Sequence, residues 1–146
     1  MPQTKYGSVD EMIASLPAAE KVIVNRLRLL IRECLPKSVE LAYYGLAVPF
    51  YRHHRLICFI WPSSVIWGKD KSPNAKEKRG IVSLGFNQGY LMAGDKTLLA
   101  EGRKQIHIHY IKSIKELDEE KIRAQLFEAG MIDDDFGRKK VKKKKT

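Results

Sequence analysis

The hydrophobic pattern of this chain changes once, near Glu40, and this change limits the fold more than any other feature of the sequence. Before it, residues 18–34 place apolar side chains at the spacing of one helix face. After it come short runs of β-branched and aromatic residues, separated by turn residues. Helices followed by strands and then by one further helix favour an α+β fold over repeated βαβ units.

The first two helices are indicated by their start and stop signals. Ser8 and Glu11 have the spacing of a capping box, which predicts that a short helix begins at Ser8. Pro17 suits the first turn of a second helix, which carries the amphipathic stretch 18–34. This helix is expected to end before Pro36, because the residue that precedes a proline avoids the helical conformation.

The middle of the chain is expected to form about five strands. They are placed at 47–52, 56–61, 65–69, 81–86 and 105–111. Short connections, such as the tight turn at His53-His54, imply that the strands pair mainly antiparallel. The run 56–61 is apolar on both side-chain parities, so this central strand should be covered on both faces. The predicted fold is α+β, with N-terminal helices packed on this sheet and a C-terminal helix.

The C-terminal part is expected to be a helix followed by a tail. Acidic residues at 118–120 suit the positive end of a helix dipole, and Gly130 is a helix stop signal. Seven cations lie from Arg138 onward, so the formal charge of +10 is concentrated there. The sequence therefore predicts one domain over 8–130 and a disordered tail over 131–146, first acidic and then Lys-rich. Such a tail is suited to nucleic-acid phosphates, which makes nucleic acid a candidate partner.

The cysteine count and the apolar runs indicate a cytoplasmic protein. Cys34 and Cys58 are the two cysteines, and their spacing predicts neither a disulfide framework nor a Cys-rich zinc site. The first seven residues lack the pattern of a secretory signal. The longest apolar run, 56–62, is far too short to cross a bilayer, so no membrane span is expected.

Common catalytic motifs are missing from the sequence. Ser63-Ser64 lacks the Gly-x-Ser-x-Gly context of a nucleophile elbow. Cys58 stands in an apolar run, an environment that disfavours the thiolate. The glycines within 85–89 match neither the dinucleotide fingerprint nor the P-loop. These observations favour a protein that is not an enzyme.

Aromatic residues between 43 and 67 give the first candidate site. Strand parity places Phe59 and Trp61 on a face related to that of Trp67, across the turn. Together with Tyr44, they are expected to line a ligand pocket, because tyrosine and tryptophan need polar partners. The alternative is that aromatic residues at this density form the core of the domain.

Histidine and carboxylate residues give a second candidate, a metal site. His107 and His109 lie two apart in a predicted strand and share a face, but a zinc site needs three or four ligands. His53 and His54, at a hairpin tip, have no spacing that predicts a meeting with that pair. Oxygen donors, which hard cations such as iron prefer, are concentrated at Asp133, Asp134 and Asp135. The alternative for these carboxylates is pairing with the basic tail.

Several short segments together have the pattern of a known family. The chain has Leu16-Pro17 before a long helix and Tyr43-Tyr44-Gly45 before the first predicted strands. Further on, Leu84-Gly85-Phe86 closes a strand, and Leu98-Leu99 precedes Gly102-Arg103-Lys104. Over about residues 8–130 the chain resembles the YdhG-like family, domain of unknown function 1801. The resemblance implies an α+β domain, and one branch of the family is described as an intracellular iron chaperone with a frataxin-like role. It carries no site residue over to this chain.

These observations lead to three functional expectations. The first is a domain that binds a small molecule or a protein in a cavity between its sheet and its helices, without a cofactor. The alternative is an iron chaperone, as the resemblance implies, with the metal on Asp133, Asp134 and Asp135. The third is an accessory nucleic-acid binder that acts through the basic tail.

Overall fold

A computed structural model of the protein describes residues 6–43, 45–65 and 81–145, with side chains as far as residue 139. The chain begins with two helices, α1 (Val9–Ala14) and α2 (Ala18–Cys34), and ends with a long helix, α3 (Glu119–Lys145). Between them lie five strands: β1 (Val39–Tyr43), β2 (Val48–Arg52), β3 (Leu56–Pro62), β4 (Val82–Phe86) and β5 (His107–Ile111). Two short 3-10 helices, Gly89–Leu91 and Ile114–Glu116, flank β5. The predicted α+β class is confirmed.

The five strands form one antiparallel sheet in which every strand pairs with its neighbour in sequence. The central strand, β3, is buried at all but its first residue, as its apolar pattern predicts. The strand β1 was not predicted, because it is a half-exposed edge strand without a continuous apolar run. The strand predicted at 65–69 lies outside the described residues, except for Val65, which is not in a strand.

The helix α2 packs on β3, β4 and α3 through one apolar face. Its buried residues are Glu20, Ile23, Val24, Leu27, Leu30, Ile31 and Cys34. Leu30 is 0% exposed, whereas its neighbour Leu29 is 43% exposed. This contrast places the apolar face where the sequence pattern predicts it. The capping box of α1 is also present, since Ser8 Oγ accepts from the backbone N–H of Glu11 at 3.1 Å.

A polar network of four side chains connects the helices to β1 and β2. Arg28 donates two hydrogen bonds to Glu40, at 2.9 and 2.7 Å, and one to Asp10 at 2.9 Å. The Tyr51 hydroxyl donates to Glu40 at 2.6 Å. Burial alone would raise the pKa of Glu40, but the hydrogen bonds from Arg28 and Tyr51 outweigh burial and lower the pKa. The partly buried charges of Arg28 and Glu40 are therefore paired with each other, and the exposed Asp10 adds a contact at the surface.

The helix α3 is longer than the sequence predicts. The helix was predicted to end at Gly130 and to be followed by a disordered tail from residue 131, but it continues to Lys145. Gly130 allows close packing, because a Cβ atom there would lie 2.8 Å from Leu35 Cδ2. Gly137 has the same role, since a Cβ atom would lie 2.3 Å from His54 Nε2. Two glycines seven residues apart thus let α3 lie close to the α2–β1 connection and to the β2–β3 turn.

In the described ranges, no helix is both long enough and apolar enough to cross a membrane.

Candidate metal centre

The β2–β3 turn presents two adjacent histidines on the surface. The turn is closed by a hydrogen bond from the His53 backbone N–H to the Arg55 carbonyl, at 3.1 Å. Both histidine side chains are exposed, and their ring centroids lie 4.1 Å apart. The tight connection predicted at His53-His54 is confirmed, and it brings two imidazoles close together.

Asp133, on α3, holds this turn in place. Its two carboxylate oxygens accept hydrogen bonds from the backbone N–H groups of His54, at 2.9 Å, and Arg55, at 2.7 Å. The residue is only 3% exposed. Backbone donors at a turn need partners when they leave water, and a carboxylate is a strong acceptor for them. Asp133 therefore connects two segments about eighty residues apart in sequence.

Four side chains of the turn and of α3 meet here, and we call them the His-Asp cluster: His53, His54, Asp133 and Asp134. One donor atom from each can be chosen so that all four lie within 4.8 Å of one another. Donor atoms bound to one ion at about 2.0–2.2 Å lie up to roughly twice that distance apart. The cluster needs only small side-chain movements to enclose a single cation with two nitrogen and two oxygen donors.

The hydrogen bonds of Asp133 are compatible with a bound metal ion. A carboxylate oxygen that accepts one backbone N–H retains a lone pair for an ion. Carboxylate ligands of metals are commonly oriented by hydrogen bonds of this kind. The same bonds fix the backbone of His54 and so limit where its imidazole can lie.

The third carboxylate of the acidic run, Asp135, is separated from the cluster. It forms ion pairs with Lys139 at 3.2 Å and with Arg138 at 3.4 Å. Its hydrogen bond and charge interaction with Lys139, followed by those with Arg138, lower the pKa of Asp135. The metal set expected from the sequence was Asp133, Asp134 and Asp135. The structure brings the first two together with histidines, and the predicted pairing with basic residues is found at Asp135 alone of the three within the described side chains.

A cavity of about 230 Å³ opens beside the His-Asp cluster. It lies between the α2–β1 connection, the β2–β3 turn and α3. His53, Asp133 and Asp134 line it, together with apolar side chains that include Ile57 and Phe127. A second, larger cavity lies further along α3, beside Tyr90 and Phe136.

The aromatic residues predicted to line a pocket are packed in the core where they are described. Phe59 and Trp61 are 3% and 4% exposed. The Phe59 ring stacks on Phe50 with centroids 4.7 Å apart and occupies the position that a Cβ atom of Gly85 would need. The Trp61 indole N–H donates to the Val65 carbonyl at 2.9 Å. Neither side chain lines either cavity beside α3. The other two residues of this candidate site, Tyr44 and Trp67, lie outside the described residues.

The histidines of β5 do not join the cluster. His109 is 6% exposed, and its Nδ1 lies 2.8 Å from Gln125 Oε1. Burial lowers the pKa of His109, and the hydrogen bond to Gln125 opposes this effect only in part. His107, two residues earlier in β5, is half-buried, and its Nδ1 atom is buried. Within the described part of the chain, His53, His54, Asp133 and Asp134 are the one group of three or more potential ligands that comes together.

The two cysteines are not suited to act as nucleophiles. Both are buried, and both are free thiols. Burial raises the pKa of Cys58 and of Cys34, although Arg123 offsets part of the effect at Cys34. The thiolate form that attacks electrophiles or binds metals is thus disfavoured at both positions.

Comparison of the chain with known protein families, with curated protein sequences and with solved structures gives no match. The resemblance to the YdhG-like family therefore stays a prediction. The site is described by the geometry of this chain alone.

Proposed function

We propose that this protein binds a divalent transition-metal ion at the His-Asp cluster and serves as a carrier for it. One observation supports the proposal above all others. Two imidazoles from a β-turn and two carboxylates from a distant helix place one donor atom each within 4.8 Å. Imidazole nitrogen and carboxylate oxygen are both common metal ligands in proteins, and the four side chains come from segments about eighty residues apart in sequence.

The donor set selects the class of metal. Imidazole nitrogen suits iron, cobalt, nickel, copper and zinc, whereas magnesium and calcium are bound mainly by oxygen. Carboxylate oxygen adds a preference for harder ions within that group. Ferrous iron accepts this mixed set, and it is the ion that the family resemblance implies. We therefore take ferrous iron as the cargo.

The exposure of the cluster supports a carrier role. His53, His54 and Asp134 are exposed, and only Asp133 is buried. An ion held mainly by exposed groups can enter and leave without unfolding of the domain. A structural zinc site, in contrast, is closed and contributes directly to folding. We therefore propose that an iron chaperone of this kind would hold its ion on His53, His54, Asp133 and Asp134.

Calorimetric titration under anaerobic conditions tests the proposal. The native protein should bind one ferrous ion and should not bind magnesium at comparable concentrations. Asp134→Asn should weaken ferrous binding by about tenfold or more, because one oxygen donor loses its charge. Asp135→Asn is the matched control, since the neighbouring carboxylate is used in ion pairs with Arg138 and Lys139. Equal effects of the two substitutions, or equal affinity for ferrous and magnesium ions, would contradict the proposal.

A second candidate function, nucleic-acid binding, is favoured by the length of α3. The backbone of α3 is helical through this basic segment as far as Lys145. A single-stranded oligonucleotide bound there should show an affinity that falls steeply with salt, with a log–log slope of at most roughly −5 for seven phosphate contacts. Fluorescence anisotropy of the chain with and without residues 138–146 tests this. Salt-independent binding would contradict it, as would equal binding by the shortened chain.

A further inference from the structure

We infer that the cavity beside the His-Asp cluster holds a small aromatic chelator, which binds the metal through oxygen atoms while its ring lies against the apolar wall. This inference rests on the proposed metal binding and specifies what completes the coordination of the ion. The observations that support it are the position of the cavity, its lining and its size.

The cavity faces the metal position from one side. Three of the four cluster residues, His53, Asp133 and Asp134, line it. His54 is not among its lining residues, and its ring packs on Gly137, one helical turn beyond Asp133. An ion held by these four residues therefore has the cavity next to it.

The metal itself leaves room for a ligand. Ferrous sites built from two histidines and carboxylate commonly keep coordination positions open for a small molecule. Asp133 is expected to give the ion one oxygen, because its two oxygens are held apart by separate backbone hydrogen bonds from His54 and Arg55. Open positions on the ion should be directed into the cavity, because protein donors occupy the other directions.

The lining of the cavity indicates the chemistry of the ligand. Its apolar wall is formed by Leu35, Ile57, Phe127 and Met131. Phe127 and Met131 are 52% and 69% exposed, so a ligand in the cavity would cover apolar surface that is now in contact with water. Lys37 also borders the cavity and provides a positive charge. An apolar body with an anionic oxygen-donor head group matches this arrangement.

The size of the cavity limits the ligand to about one ring. A volume of about 230 Å³ corresponds to roughly eight water molecules. Pockets for drug-sized ligands usually run from about 300 to 1,000 Å³. A single aromatic ring that carries a hydroxamate, catecholate or salicylate group belongs to the size class that fits.

Two hydroxamates that differ only in the ring test the inference. The native protein is loaded with cobalt(II), whose visible absorption reports ligand exchange at the ion, and is titrated with benzohydroxamate or acetohydroxamate. Benzohydroxamate should bind roughly tenfold more tightly than acetohydroxamate, because only its ring covers the apolar wall. Both should change the cobalt spectrum, and metal-free protein should bind benzohydroxamate much more weakly.

Substitutions of Phe127 and Met131, which line the cavity, test where the aromatic ring of benzohydroxamate lies. The double variant Phe127→Ser, Met131→Ser should lose most of the preference for benzohydroxamate while its cobalt affinity stays the same. Both side chains are exposed, so the fold tolerates the change. Leu29→Ser is the matched control, because Leu29 is an exposed apolar residue of α2 that does not line the cavity.

The outcomes separate this inference from the proposed function. Equal affinity for the two hydroxamates, or a preference that survives in the double variant, overturns the chelator while metal binding stands. Equal binding of benzohydroxamate with and without cobalt also overturns it. Failure of cobalt to bind overturns the metal site and the chelator together.

Discussion

Replacement of Asp133 with asparagine separates the structural role of this carboxylate from its role as a ligand. Its oxygens accept hydrogen bonds from the His54 and Arg55 backbone N–H groups at 2.9 and 2.7 Å, and the residue is 3% exposed. Asparagine keeps one acceptor oxygen and places an NH₂ group against the other N–H. One hydrogen bond to a charged group is lost, which corresponds to about 1.5–3 kcal/mol.

The free energy of unfolding should therefore fall by about 1.5–3 kcal/mol in Asp133→Asn, even with all metal removed by EDTA. Urea titrations followed by circular dichroism measure this difference. Asp134→Asn is the control: its exposed side chain should change the stability by less than about 0.5 kcal/mol. Equal stabilities of the two variants would refute the view that Asp133 holds the β2–β3 turn against α3.

Three further predictions concern the core, the pH dependence and the end of α3. Leu30→Ala should cost about 2–5 kcal/mol in urea titrations and Leu29→Ala less than about 0.5 kcal/mol, because only Leu30 is fully buried; equal costs would contradict the assigned face of α2. Stability should decrease as the pH falls below about 6.5, because burial lowers the pKa of His109 in the folded state and the unfolded chain takes up the proton first. His109→Gln should reduce this decrease between about pH 7 and pH 5, and an unchanged pH profile would contradict it. Removal of residues 138–146 should lower the stability by less than about 1 kcal/mol in calorimetry, because the described side chains that it removes, Arg138 and Lys139, are exposed and form surface ion pairs; a larger loss would show that the end of α3 supports the fold.

Much of the fold could be predicted from local patterns. The stripe of apolar residues in α2, the continuous apolar run of β3 and the short turn at His53-His54 each depend on neighbours in sequence, and each is found as predicted. The half-exposed edge strand β1 has no such run, and it was missed.

The predicted end of α3 at Gly130 was wrong for a different reason. Glycine after an apolar helical stretch commonly marks a helix end, where it adopts a left-handed conformation. Gly130 instead lies inside the helix, where the absence of a side chain lets Leu35 approach. Sequence alone does not distinguish these two uses, because the second depends on a residue almost a hundred positions away.

The His-Asp cluster was predicted only in part, and the long helix explains why. Asp133 and Asp134 were singled out by their charge, and His53 and His54 by their place at a hairpin tip. Their meeting depends on the continuation of α3 past Gly130 and on its close approach to the turn at Gly137. Gly137, seven residues after Gly130, is the feature of the sequence that matches this approach, but its packing role follows only once α3 is known to continue past Gly130.

A crystal structure of the protein grown with ferrous or zinc ions, with anomalous data collected at the metal absorption edge, tests the central claim most directly. We expect one anomalous peak beside the β2–β3 turn, about 2.0–2.2 Å from nitrogen atoms of His53 and His54 and from an oxygen of Asp134. An anomalous peak at His107 and His109 would contradict the account. So would the absence of a peak between the β2–β3 turn and α3 in a crystal grown with a saturating concentration of the metal.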